Sequence, residues 1–458
     1  MTNEKNQETV MERTITKSVD TYKRSRELFA NGRNFLPDGV SSPVRTFQWV
    51  DSPPIVAKSG KGAYLTDEDD NTYIDFVMGL GALILGHSPP SIVAALHDRI
   101  QKGTVFCVPT EIEYKLASKI KDSSPCLEKL RFVCSGTEGV MSALRLAKVF
   151  TKRQMLLKFV GSYHGHADPL FGRGSSFLES AKQSGIDPQI HKNTLLAKYN
   201  DPEEVRAIFQ QYGNEIAAIV VEPICSNMGL VLPSRDFLLS LREMCDRWGA
   251  ILIFDEVVTG FRFCYGSVSN VLGVRPDLVV FGKIIGGGTP IGAYGGREDI
   301  MNALQTLPLG RNLSDEDLDK QGGTFAGNPL PMTAGLAVLE QLSQENFYSL
   351  MENLGQTLEN SLKETFQQKN LPFSCLRKGS LLSVLLMNHP LKLENYDDFE
   401  RQNFTLFARF HSEMLKRQYF LPNSIAEPWF ISFAHQDINL QEFATNVGEA
   451  LDYCLNIK

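Results

Sequence analysis

Three short segments place chemically capable side chains at the ends of strand-like runs. The first is KLRFVC followed by Ser135-Gly136-Thr137-Glu138 and the helical run GVMSALRLAKVF. A strand that delivers a Ser-Gly-Thr turn onto a helix N-terminus offers free N–H groups, two hydroxyls and the positive end of the helix dipole to an anion, phosphate in particular. The same residues also read as a simple helix cap, with Ser135 or Thr137 accepting a first-turn N–H. The second segment, AILIF before Asp255-Glu256, puts an acidic pair at the C-terminal end of a strand, where open α/β sheets bind ligands. A strand-end Asp bonded to loop amides is the plainer reading. The third, PDLVVFG-Lys283-IIGGGTPIGAYGG, sets one lysine between a strand and a glycine cluster. Burial lowers a lysine pKa, and a neutral amine can form a Schiff base with an aldehyde. A lysine snorkelling from a strand end is the alternative.

Taken together, the three describe a phosphate cradle, a buried acid and a Schiff-base lysine at successive strand ends. Pyridoxal 5′-phosphate needs all three: the helix N-terminus for its phosphate, the lysine for its aldehyde, and a carboxylate to keep its ring nitrogen protonated.

Positioning these groups requires a sheet covered by helices. KLRFVCS, QMLLKFV, IAAIVVEP, AILIFDE and PDLVVFG are short β-rich runs, separated by helical stretches such as EGVMSALRLAKVF and SRDFLLSLREMCDRWG. Continuous apolar strands alternating with helices indicate a mostly parallel sheet buried on both faces. Residues 1–75 read as a polar lead (1–16), a helix ending at Gly32 and short strands around the Asp69–Asp70–Asn71 turn, contributing to a small domain and the substrate site. Residues 76–330 read as the large domain and 331–458 as a smaller α+β domain. The polar stretch 305–320 reads as a mobile surface loop, with Asp315, Glu316, Asp317 and Asp319 as a solvated run.

Composition narrows the function classes. The 458 residues carry 46 Lys+Arg against 53 Asp+Glu, a net charge of −7 that argues against a mainly electrostatic binder of nucleic acid or anionic membrane. With 43% hydrophobic and 22% charged residues, the chain has the balance of a globular protein. No run approaches the roughly 20 apolar residues of a membrane helix, and the N-terminus has no apolar signal-peptide core. The eight cysteines form no CxxC pair. They read as buried reduced thiols, and the expected location is the cytoplasm.

Over residues 20–455 the chain resembles the class III PLP-dependent aminotransferases, and within them the glutamate-1-semialdehyde 2,1-aminomutase group. The resemblance rests on motifs such as GVSSPVRTF (39–47), SGTEGVMSALRLAK (135–148), YHGHAD (163–168), VEPICSNMG (221–229), FDEVVTGFR (254–262) and GTFAGNPL (323–330). It implies the PLP-dependent transferase fold (fold type I). It also implies that Lys283 carries the cofactor and then moves the substrate proton, that Asp255 pairs with the ring nitrogen, and that Tyr163 lies over the ring. Ser135, Gly136, Thr137 and Val257 are implied as further cofactor contacts. Thr324 matches a threonine that reaches the phosphate held by a neighbouring subunit, implying a homodimer with shared active sites. Ser42, Arg45 and Glu427 match substrate-side residues, Arg45 receiving a carboxylate. His164 and His166 already fit the family's YHGHAD pattern, so no metal site is expected.

Two departures affect the substrate side. Leu80, in Met78-Gly79-Leu80-Gly81-Ala82, stands where the aminomutase pattern has tryptophan, and residues 104–111 carry bulkier apolar side chains than that pattern. The stretch 173–190 also lacks the glycine-rich character of a gating loop. The resulting expectation is an aminotransferase of specialised metabolism moving an amino group from a donor such as L-glutamate to a carbonyl compound. Intramolecular transfer by a glutamate-1-semialdehyde 2,1-aminomutase is the alternative, and a non-catalytic binding or regulatory protein the third reading.

Overall fold

The computed structural model describes residues 21–171, 185–304, 322–387 and 392–456. The polar lead at 1–16, the first part of the 173–190 stretch and the loop at 305–320 with its acidic run lie outside the described residues.

Strands β1 (Ala57–Lys61), β2 (Tyr64–Asp67) and β3 (Thr72–Asp75) form an antiparallel meander. The central sheet follows, built from β4 (Lys129–Val133), β5 (Met155–Phe159), β6 (Thr194–Ala197), β7 (Ile216–Val221), β8 (Ile251–Asp255), β9 (Leu278–Gly282) and β10 (Gly292–Gly296). Its order is β4-β10-β9-β8-β7-β5-β6. Only β10 runs antiparallel to its neighbours, so β4, β7, β8 and β9 all point the same way. Every residue of β7, β8 and β9 is buried, which accounts for their continuous apolar sequences. The mostly parallel sheet expected from the alternation of strands and helices is the one found.

The helices earn their places by capping and amphipathicity. Helix Arg235–Trp248 starts at Ser234, whose hydroxyl accepts the Phe237 N–H, and stops at Gly249 in the left-handed conformation. Its buried face carries Phe237, Leu238, Leu241 and Met244. Truncating Leu241 to Ala would cost about 2–5 kcal/mol, the usual range for a buried leucine.

Three further strands, β11 (Ser374–Lys378), β12 (Leu381–Leu385) and β14 (Trp429–Phe430), form a small sheet, while β13 (Tyr419–Phe420) pairs in parallel with β3. The N-terminal meander is thus tied to the C-terminal segment. Their shared core includes Phe76 and Phe443, whose rings stack with centroids 4.0 Å apart.

The boundary expected at residue 330 falls at the start of helix Pro329–Leu342. That helix buries Met332, Val338 and Leu339 with Ile92 and Leu116 of the large domain, so the large core continues past it. Helix Phe347–Gln368 then bridges, with Phe347 and Met351 in that core and Leu358, Leu362 and Phe366 in the C-terminal one. The thiols also differ in one respect from the sequence reading. All eight are unpaired and five are buried, but Cys134 and Cys264 are half-buried and Cys107 is exposed. Among the described residues no helix is long and apolar enough to cross a membrane.

Candidate active site

The common direction of β4, β7, β8 and β9 brings their C-terminal ends to one edge of the sheet, and a cavity of about 420 Å³ opens there. That volume lies in the range of small-molecule and cofactor sites. Ser135, Gly136, Thr137, Tyr163, Asp255, Val257 and Lys283 all line it.

Beyond β4, Ser135 caps helix Gly136–Thr151, its Oγ accepting the Glu138 N–H at 3.2 Å, while Glu138 Oε2 accepts the Cys134 N–H at 2.7 Å. The capping reading therefore holds for Ser135. The N–H groups of Gly136 and Thr137 belong to the first turn, where the helix supplies no acceptor. Gly136 is required by space: a Cβ there would lie 2.8 Å from Val257 Cγ2. Gly165, at φ +86°, lets its backbone approach Thr137, since a Cβ would stand 2.5 Å from Thr137 Oγ1.

Asp255 closes β8 and is 5% exposed. Its Oδ1 accepts the Val257 N–H at 3.1 Å, and its Oδ2 is 2.7 Å from Nδ1 of the buried His164. A carboxylate can only accept, so His164 carries a proton on Nδ1. His166 instead faces Thr137, its Nδ1 3.4 Å from Oγ1. The two imidazoles serve different partners and do not converge.

Lys283 begins the turn after β9 with φ +47°. A non-glycine residue in this region costs about 1–3 kcal/mol of backbone strain and persists only where its surroundings enforce it. Lys283 retains some surface toward the cavity, yet desolvation lowers its pKa; the nearby charges of Glu427, Glu222 and Asp255 oppose that shift. The amine is thus more readily neutral than a surface lysine.

Glu222, immediately after β7, was not singled out from the sequence. Its Oε1 accepts the Tyr163 N–H at 3.0 Å, and its Oε2 accepts from Ser226 N at 3.0 Å and Asn227 Nδ2 at 2.8 Å. It thereby fixes the backbone under Tyr163 and the Asn227 amide, and Asn227 also lines the cavity. His164 was considered only with His166 as a metal ligand, although its place in YHGHAD, one residue from Tyr163, was a usable signal for the site.

The substrate-side candidates are more dispersed. Ser42 is half-buried and Arg45 is exposed, on the 3₁₀ turn Pro43–Arg45, and neither lines the cavity. Leu80 is half-buried on a turn that contributes Ala82 to the lining instead. Glu427 lies beside Trp429 and Phe410 in a narrow crevice, near enough for its charge to act on Lys283. Thr324 lines a separate cavity of about 390 Å³ with Val105–Thr110 and Glu113.

These residues fit pyridoxal phosphate. Gly136 and Thr137 present N–H groups for a phosphate, Asp255 is a buried acceptor locked in orientation, and Lys283 supplies a desolvated amine in the same cavity.

Comparison with known proteins places this geometry in a family. The model of the family described as aminotransferase class-III matches residues 47–444. A glutamate-1-semialdehyde 2,1-aminomutase of Thermus thermophilus is 42% identical over 431 residues, covering 93% of this chain and 98% of that one. Among solved structures, an omega-transaminase from Sphaerobacter thermophilus superposes with a TM-score of 0.84 at 29% identity, covering 94% of this chain and 98% of that one. A transaminase solved with PLP bound gives 0.82 at 27% identity, with the same coverage of both chains.

Proposed function

The chain belongs to the class III aminotransferase family, a PLP-dependent enzyme family, and from that premise we propose that it performs the intramolecular transfer of a glutamate-1-semialdehyde 2,1-aminomutase. The observation that carries this choice is 42% identity to such an enzyme over nearly the whole of both chains. The departures at Leu80 and residues 104–111 favoured transfer between two molecules, but they are local, whereas the identity extends over 431 residues. Transfer from a separate donor such as L-glutamate is the second reading, supported by Leu80 and by the likeness to the two transaminase structures.

When bound, pyridoxal phosphate supplies an aldehyde that captures an amine and a protonated ring that accepts the electrons of a breaking C–H bond. The protein supplies the remainder. Gly136 and Thr137 hold the phosphate with first-turn N–H groups. Asp255, oriented by His164, keeps the ring nitrogen protonated. Tyr163, whose backbone Glu222 fixes, covers the ring. Lys283 would anchor the cofactor, and its neutral amine would take up the substrate proton and then return it. The Glu427 carboxylate near Lys283 favours the ammonium form and helps it hold that proton between the two steps. Arg45 receives the substrate carboxylate by a bidentate contact.

A homodimer with shared sites is part of the proposal. Thr324 lies away from the cavity of its own chain, and around it Val105, Phe106, Val108 and Phe325 are exposed. A second copy covering this apolar surface would bring Thr324 to its partner's phosphate site.

To test the function, the PLP-loaded enzyme is given glutamate-1-semialdehyde with no other amine. Conversion to 5-amino-4-oxopentanoate supports intramolecular transfer. No conversion, together with stoichiometric release of 2-oxoglutarate from L-glutamate alone, would replace it with the two-substrate reading.

A further inference from the structure

Arg262 is 1% exposed and has no carboxylate partner among the described residues. Its Nη1 donates to Ser380 Oγ at 3.1 Å, its Nη2 donates to the carbonyl of Gly81 at 2.5 Å, and its guanidinium lies over the Phe430 ring at 5.5 Å. Burying a cation without a counter-charge is unfavourable, so the contacts it makes there need a reason.

The Gly81 carbonyl belongs to an unusual segment. Met78, Gly79, Leu80 and Gly81 all have positive φ, at +46°, +60°, +54° and +90°. Left-handed backbone is ordinarily visited by single residues, and here two of the four have side chains. Asp75 Oδ1 holds the entry to the turn by accepting from Val77 N at 2.6 Å and Met78 N at 3.1 Å. At the exit, Phe430 packs so closely that a Cβ on Gly81 would stand 2.6 Å from its ring. The next residue, Ala82, lines the cavity. Arg262 itself lies on the segment that begins with Asp255, so one stretch of chain supports both the cofactor floor and this turn.

We propose that Arg262 is a positioning residue that holds the Met78–Ala82 turn in its left-handed form and so sets the substrate wall of the cavity, without contacting the cofactor. This rests on the reading of the cavity as an amino-transfer site, though the tether itself can be tested without turnover. Ser380 and Phe430 extend the same anchor into the small sheet, so the wall is fixed to both parts of the molecule at once.

The test compares Arg262→Lys and Arg262→Ala with the parent holoenzyme. The lysine variant keeps a cation, but its single ammonium cannot span Gly81 and Ser380 as the planar fork does. Expected are a 10-fold or greater rise in KM for whichever amine the parent turns over, a smaller change in kcat, unaltered cofactor affinity and absorbance, and partial recovery of KM in Arg262→Ala on adding methylguanidinium. Hydrogen exchange of the amides of residues 77–83 should quicken in both variants. An unchanged KM with unchanged exchange overturns the proposal, as does a loss of cofactor affinity equal to the rise in KM. Should neither variant fold, Ser380→Ala, which removes the Nη1 acceptor while Arg262 stays, must raise KM at constant cofactor affinity, and an unchanged KM overturns the proposal. If the parent turns over no amine, the functional reading fails, and the exchange measurement alone decides on the tether.

Discussion

On the floor of the cavity, Asp255, Lys283 and the Gly136–Thr137 turn stand directly beyond three strands of one buried sheet. On its wall, the turn carrying Leu80 and Ala82 is held by Asp75, Arg262 and Phe430, which come from three separate stretches of chain. The floor inherits its geometry from strand direction, because parallel strands deliver their C-terminal residues to one edge. The wall has no such template. Its left-handed backbone is imposed from outside, and its remaining candidates, Arg45 and Glu427, arrive from opposite ends of the chain. The floor can therefore keep one cofactor chemistry while the wall changes what is presented to it.

If that division is correct, floor variants lower kcat and disturb the cofactor, whereas wall variants act on KM. The largest effect is expected from Lys283→Ala, with kcat falling by about 10²–10⁴ or more, as for loss of a positioned acid–base group, and with altered absorbance of the bound cofactor. Normal turnover with unaltered absorbance would remove Lys283 from the floor. Next is Asp255→Ala, expected to lower kcat by about 10²–10³, the usual result of deleting a preorganised charge partner. His164→Ala should follow in the same direction with a smaller loss, since its 2.7 Å contact orients Asp255. A His164 variant changing KM alone would break the comparison.

Legibility in the sequence followed the same division. Ser135–Thr137, Asp255 and Lys283 could be read because each sits where an apolar run meets a glycine or a helix start, and their order along the chain already matched one cofactor. His164 and Glu222 could not be assigned roles, because these depend on partners 91 and 59 residues away in sequence. Nor could the four left-handed residues at 78–81 be foreseen, since Met and Leu signal nothing of the kind. The continuation of the large core past residue 330 was not legible for another reason: helix Pro329–Leu342 is buried on most of its surface, so it lacks the amphipathic pattern that would assign it to one core.

Acid should reach the wall before the floor. His411 and His435 are fully buried and hydrogen-bonded, and desolvation lowers the pKa of each to about 4. The unfolded chain binds these protons near pH 6.5 and the folded chain only near 4, so stability is fully present above 6.5 and is lost as pH falls through that window. At about 1.36 kcal/mol per unit, each histidine accounts for at most about 3–4 kcal/mol. His435 lies next to Asp75, which anchors the wall turn. Denaturant melts at pH 7 and pH 5 should show the loss, accompanied by a rise in KM while the cofactor stays bound. Cofactor release preceding any change in KM would reverse the order.

On the wall itself, Arg45→Ala removes a charge-assisted hydrogen bond of about 1.5–3 kcal/mol, which corresponds to roughly 10- to 100-fold in KM for a carboxylate substrate. Because Arg45 is exposed in the isolated chain, that effect also requires a neighbouring element to close over it. Unchanged kinetics would place substrate recognition elsewhere on the wall. Leu80→Trp should be smaller still. Its side chain sits on the turn but outside the cavity lining, so added bulk reaches the substrate only by moving Ala82. A change of a few-fold in KM, with kcat and cofactor absorbance unaltered, is expected, as is a shift in preference between glutamate-1-semialdehyde and L-glutamate. Were tryptophan to change kcat as much as a floor variant, the turn would have to reach the reacting atoms directly, and the separation of floor from wall would fail at this turn.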